Sequence, residues 1–350
     1  MTVARTAPAL LLTGLLAVAA GAAPAPRPVA RAASKPTTKA AEDRVASNDE
    51  LKARAGRGDV VAMLGLAGRY FLGTEGVQKD DASALAWYRR AAEAGNGRGL
   101  GMVGYMTLNG RGTKADTAAA VPWLRKAAAA GDAYGSFTLG AMYAAGEGVP
   151  QDHRQAAELF RKAADGGDPN AMNNLGTYYE QGVGVPKDMA KAVALFQRGV
   201  AAGSPDAMNN LACLYLDGDG VEQNEAEAVR LFRRGAAAGE PRAKGNLAML
   251  SEEGRGVPKD AAGAYRLYRS AAEDGLASGM RNVGRMLHEG TGVPRNDAEA
   301  ARWLRKAADA GDPKGMRLLA DLYAKGQGVP PNPGEAKRWR DKAATLSPED

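Results

Sequence analysis

Apolar and small residues recur along this chain at a fixed interval. The glycine that closes each "AAxxG" falls at positions 95, 131, 167, 203, 239, 275 and 311, always 36 apart. Alanine stands at 84, 120, 156, 192, 228, 264, 300 and 336. Three residues later comes a large apolar group: Trp87, Trp123, Leu159, Leu195, Leu231, Leu267, Trp303 and Trp339. The next position holds Tyr88, Leu124, Phe160, Phe196, Phe232, Tyr268 and Leu304, and Arg340 breaks the column in the last unit. Spacing of i, i+3, i+4 predicts one buried face of a helix, here called helix B. Alanine at every unit predicts a close helix–helix crossing.

The other half of each unit predicts helix A. In "AMNNLGTYYEQG" (171–182), "AMNNLACLYLDG" (207–218) and "GMRLLADLYAKG" (315–326), the pairs Leu175/Tyr179, Leu211/Tyr215 and Leu319/Tyr323 lie four apart. The terminal glycine can take φ > 0 and close the helix. Asp152, Asp188 and Asp260 stand where helix B needs an N-cap, and Asn224, Asn296 and Asn332 can serve in their place. One stretch, "NGRGTKAD" (109–116), lacks the usual valine and proline. Ser47 with Glu50 forms a capping box ahead of the first unit.

The pattern A-x-x-x-L-G-x-x-Y-x-x-G-x-G-V-x-x-D, followed by A-x-x-W/L-F/Y-x-K-A-A-x-x-G, resembles the Sel-one-like repeat (SLR), a relative of the tetratricopeptide repeat, in its exported bacterial form. The resemblance implies an all-α fold: a right-handed α-solenoid superhelix of eight 36-residue helix-turn-helix repeats, with the A helices lining a concave face. Units are expected at about 58–94, 95–130, 131–166, 167–202, 203–238, 239–274, 275–310 and 311–346. A capping helix is expected at 47–57 and a short tail at 347–350.

Charge changes this picture little. Of 46 basic and 40 acidic residues, six basic and two acidic ones fall within positions 1–48. The rest carries 40 basic and 38 acidic residues, which argues against a nucleic-acid partner. Residues 1–22 read as a signal peptide: Arg5, an apolar run from Ala9 to Ala20, then small residues before a cleavage point near Ala22. The run falls short of the ~20 residues a membrane span needs. Residues 23–46, rich in Ala, Pro and basic groups, read as a flexible tether. A periplasmic or secreted location follows, with no stable membrane span after cleavage.

Candidate chemistry is sparse. The chain holds two histidines, His153 and His288, and one cysteine, Cys213, so neither a zinc site nor a disulfide framework is expected. "GLGMVG" (99–104) fits G-x-G-x-x-G, but no strand precedes it and its glycines occupy ordinary helix-A positions. No Ser-x-x-Lys occurs. Neither a catalytic residue nor a cofactor is expected.

Candidate binding residues lie on helix A. Asn174, Asn210, Asn246 and Asn282 stand just before the helix-A leucine or valine in four successive units, beside Asn173 and Asn209. They could pair with an extended peptide backbone, or bond neighbouring A helices to each other. Arg242, Arg281, Arg285, Lys314 and Arg317 form a basic end, suited to another protein, an acidic peptide segment or an anionic cell-wall polymer. They lie outside the Leu/Tyr and Ala columns, so charge reversal there is expected to leave the fold intact. The function expected is a non-catalytic protein–protein interaction scaffold or regulator in the cell envelope. An enzyme or binding protein acting on peptidoglycan is the alternative.

Overall fold

The computed structural model describes residues 46–346; the signal-peptide, tether and tail assignments lie outside them, save for Ala46. The described residues form seventeen α-helices and no strand. They divide into two compact units, the first ending in the chain at Asp188 and the second beginning at Met189. The N-terminal unit contains α1 (Asn48–Gly56), α2 (Val60–Leu72), α3 (Asp81–Glu93), α4 (Gly97–Leu108), α5 (Thr117–Ala129), α6 (Ala133–Ala145), α7 (His153–Asp165) and α8 (Pro169–Gln181). The C-terminal unit contains α9 (Met189–Ala201), α10 (Pro205–Asp217), α11 (Glu225–Ala237), α12 (Pro241–Glu253), α13 (Ala261–Glu273), α14 (Ala277–Glu289), α15 (Asp297–Asp309), α16 (Pro313–Lys325) and α17 (Pro333–Leu346). After α1, A and B helices alternate without a break, as the 36-residue period requires of an α-solenoid.

Within each unit a helix packs on its neighbours in the chain, and A helices also touch A helices, as α4 does α6 and α14 does α16. The alanine column forms the inner layer, with Ala84, Ala156, Ala228 and Ala300 fully buried. Phe160 and Phe232, from the column after the tryptophans, are fully buried too. Where helix B meets the next helix A, the backbones come so close that only one methyl group fits between them. A Cβ on Gly135 would sit 2.4 Å from Cβ of Ala127. In the C-terminal unit the roles reverse, and a Cβ on Gly235 would sit 3.0 Å from Cβ of Ala243.

The loops are uniform for a backbone reason. Glycines such as Gly146, Gly182, Gly254 and Gly290 end helix A in the left-handed region. The departing loop at 109–116 makes the same turn in the same register, with Gly110 at φ 65°, although the helix before it ends one residue earlier, at Leu108. Asp152 and Asp260 cap helix B, and Asn224, Asn296 and Asn332 accept the equivalent N–H. At the front of the array Ser47 and Glu50 form the capping box on α1.

The A helices have caps of their own, which sit deeper. Asp132 accepts from Gly135 N at 2.7 Å and Asp168 from Ala171 N at 2.8 Å. Burial pushes both carboxyl groups above the ordinary aspartate range, against the pull of those N–H donors. A carboxyl raised in the folded state binds its proton more tightly there than in the unfolded chain. Its stabilising contribution is complete below about pH 3.9, the unfolded value, and is lost as pH rises through the raised folded value. Asparagine caps as well as aspartate and has no proton to lose. Asp132→Asn should therefore gain on the wild type as pH rises from 3 to 7, read as the difference in thermal midpoint. A difference that shrinks over that range would contradict the assignment.

Candidate partner-binding face on the A helices

In the N-terminal unit the candidate pair lies on α8. Asn173 is buried and its Nδ2 donates to Oδ1 of Asn174 at 3.4 Å, while Asn174 is half-buried. In the C-terminal unit Asn209, Asn210, Asn246 and Asn282 are all buried. Asn246 Nδ2 on α12 donates to Asn209 Oδ1 on α10 at 2.9 Å and lies 3.8 Å from the Sγ of fully buried Cys213. Asn209 in turn donates to Asn210 at 3.2 Å. The Asn246–Asn209 bond joins one A helix to the next. An unpaired buried amide costs about 1–3 kcal/mol, which is reason enough for asparagines to stand together here.

The basic residues divide into two groups. Arg242 on α12 is held by Asp206 of the preceding repeat and, at 2.8 Å, by Glu240. Glu240 also caps α12 through Ala243 N, and burial pushes its carboxyl upward despite the adjacent guanidinium. Arg281 on α14 lies 3.5 Å from Asp312, the cap of α16. Arg285 donates to both carboxylate oxygens of Glu252 on α12, each at 2.8 Å, and pairs with Glu289 at 2.7 Å. The side chains of Arg285 and Glu252 are only 21% and 15% exposed, so this pair is a fastener between repeats. Lys314 is exposed near the start of α16, and Arg317 is half-buried one turn on.

The pairing of Arg242, Arg281 and Arg285 with Asp206, Asp312 and Glu252 is not part of the sequence expectation. Asp206 stands 36 residues before Arg242, one full repeat, so the register alone could have revealed that pair. Charge reversal at Arg281 or Arg285 would set a carboxylate beside Asp312 or Glu252. The expectation that the fold tolerates it gives way to these contacts.

Among the described residues no group of three or more His, Cys, Asp or Glu side chains is placed to hold a metal ion. His153 Nδ1 lies 3.1 Å from the hydroxyl of Tyr178, whose pKa burial pushes up to about 12. His288 Nδ1 lies 2.7 Å from Asp297, which Arg295 also holds. Both histidines tie a helix to its neighbour. No described helix is long and apolar enough to cross a membrane.

The chain matches the Sel1 repeat eight times in succession, over residues 60–96, 98–132, 133–168, 169–204, 205–240, 241–276, 277–312 and 313–348. No curated protein matches it. Among solved structures it is similar to a protective antigen of uropathogenic Escherichia coli with an SLR fold, at 33% identity and a TM-score of 0.66. That match covers 87% of this chain and 65% of the antigen, so the chain spans about two-thirds of that protein's length. It is also similar to a Sel1 repeat protein of Oxalobacter formigenes, at 26% identity and a TM-score of 0.63, over 70% of this chain and 96% of that one. The chain belongs to the Sel1 repeat family, whose members generally mediate protein–protein interactions.

Proposed function

We propose that this chain is a non-catalytic interaction scaffold of the cell envelope, and that it binds a protein partner through the A-helix face of its C-terminal unit. The observation that carries the reading is the pair of cations at the start of α16. Lys314 is the second residue of that helix, its side chain is exposed, and no acidic residue shares the first turn. A cation at a helix N-terminus opposes the macrodipole by about 0.3–1 kcal/mol, so helix stability alone would favour an acid there. A sequence that keeps a locally unfavourable charge on an exposed face has a use for it outside the fold. An acidic segment of a partner protein is the complementary ligand.

Export rests on Arg5 and the apolar run 9–20. Fused to a reporter active only after export, residues 1–46 should give signal, and a fusion retained in the cytoplasm would remove the envelope from the proposal. Full-length chain incubated with peptidoglycan fragments should show no turnover; hydrolysis at catalytic rates would replace the scaffold reading with the enzyme one.

A further inference from the structure

One repeat carries a cavity where others carry side chains. It is an open cleft of about 360 Å³ among α11, α12 and α13, lined by Leu247 and Leu267 and by the cations Arg233 and Arg266. Ser251 lines it as well. Five other repeats place a tyrosine at that register: Tyr70, Tyr143, Tyr179, Tyr215 and Tyr323. The backbone there is unchanged. Ser251 O accepts the N–H of the next helix's N-cap at 2.8 Å, and Tyr323 O does the same at 2.9 Å. Only the side chain is missing.

The repeat 72 residues later shows what fills this space. There Arg305, the counterpart of Arg233, donates to the hydroxyl of Tyr323 and lies 5.5 Å from that ring's centroid and 5.1 Å from that of Trp339. It also stands 3.8 Å from the carboxylate of Glu335. In the N-terminal unit Arg125 likewise donates to Tyr143 Oη at 3.2 Å. In the repeat with the cavity, Tyr323, Glu335 and Trp339 are replaced by Ser251, Gly263 and Leu267. All three reductions fall in the wall of one cavity. Arg233 is exposed and makes no hydrogen bond, ion pair or ring contact among the described residues.

We infer that this cavity is a binding site for a tyrosine side chain accompanied by a carboxylate, presented by a protein partner. The ring takes the place of Tyr323, between Leu247 and Leu267. Its hydroxyl accepts from Arg233, and the carboxylate takes the place of Glu335, next to Arg233 and Arg266. The volume suffices, since an apolar cavity of about 150 Å³ already holds benzene. Asp260 caps α13 through Gly263 N at 2.8 Å and lies 3.8 Å from Arg266, so the rim is only partly neutralised. This inference does not rest on the A-helix face proposed above, since Lys314 and Arg317 take no part in it.

The test titrates N-acetyl-tyrosine into the full chain and follows the amide resonances of Ser251 and Gly263. A ligand of this size should bind with a Kd on the order of 1 mM. N-acetyl-tyrosinamide, which lacks the carboxylate, and N-acetyl-phenylalanine, which lacks the hydroxyl, should each bind more weakly. Arg233→Gln, at an exposed position, should weaken N-acetyl-tyrosine about tenfold, the effect of losing a charge-assisted hydrogen bond. Ser251→Tyr should abolish binding and raise the thermal midpoint by filling the site from within. No shift at Ser251 and Gly263 up to 20 mM ligand would overturn the inference, as would equal affinity in Arg233→Gln. If Ser251→Tyr fails to fold, the Arg233→Gln comparison decides.

Discussion

Gly292→Ala should loosen the stack between the sixth and seventh repeats by about 3 kcal/mol, while Gly290→Ala two residues earlier should cost about 1 kcal/mol. Both glycines take positive φ, 69° and 72°, so both substitutions carry the strain of a left-handed alanine. They differ in what the new methyl meets. At Gly290 the nearest atom is Cβ of Arg295 at 3.4 Å, an ordinary contact. At Gly292 it is the carbonyl oxygen of Ala261 at 2.3 Å, the first residue of α13, and backbone cannot step aside. The same docking of a loop on the preceding helix B recurs at Gly112 against Asp81, Gly184 against His153 and Gly328 against Asp297. Because a solenoid is held by nearest-neighbour interfaces, the loss should appear as faster amide exchange in α13, α14 and α15 and not across the chain. Equal effects at the two glycines would show that the loop does not dock as described.

Arg285→Glu should be nearly as damaging, at about 2 kcal/mol, because it leaves Glu252 facing a like charge in a largely desolvated pair. The interaction is partly open to solvent, which keeps the loss below that of a fully buried pair. Arg285→Gln should cost less, since an amide still donates to Glu252. The order of stabilities in urea should be wild type, then Gln, then Glu. If the Glu variant were as stable as the wild type, Arg285 would be a solvated residue and available to a ligand. Reversing the charge at Arg281, Arg285 and Arg317 together would therefore confound folding with binding.

The 36-residue period made the helices, their order and their caps legible before any coordinates. Alanine at 156 and 228, Asp152 and Asn224 each do what their place in the period demands, because local propensity and global packing agree there. What the period concealed was reach. Asn209 and Asn246 stand at related registers, yet only the fold shows that one amide bonds the other. Likewise Arg281 and Asp312 lie in different columns and meet because α14 and α16 pack side by side. Departures from a column carried more information than the column itself. Ser251 and Gly263 are unremarkable one at a time, and they mark a site only once both are seen to line the same cavity.

The proposed role as a scaffold is tested most directly by comparing wild-type chain and Lys314→Glu in affinity capture from envelope extract, with thermal midpoints measured on the same samples. Lys314 is exposed, and an acid at the second residue of α16 suits the helix dipole, so the variant should be at least as stable as the wild type. Wild-type chain should enrich a protein partner in a salt-sensitive manner, and the stable variant should lose most of it. The same partner captured with the same salt sensitivity by Lys314→Glu would contradict binding through this face.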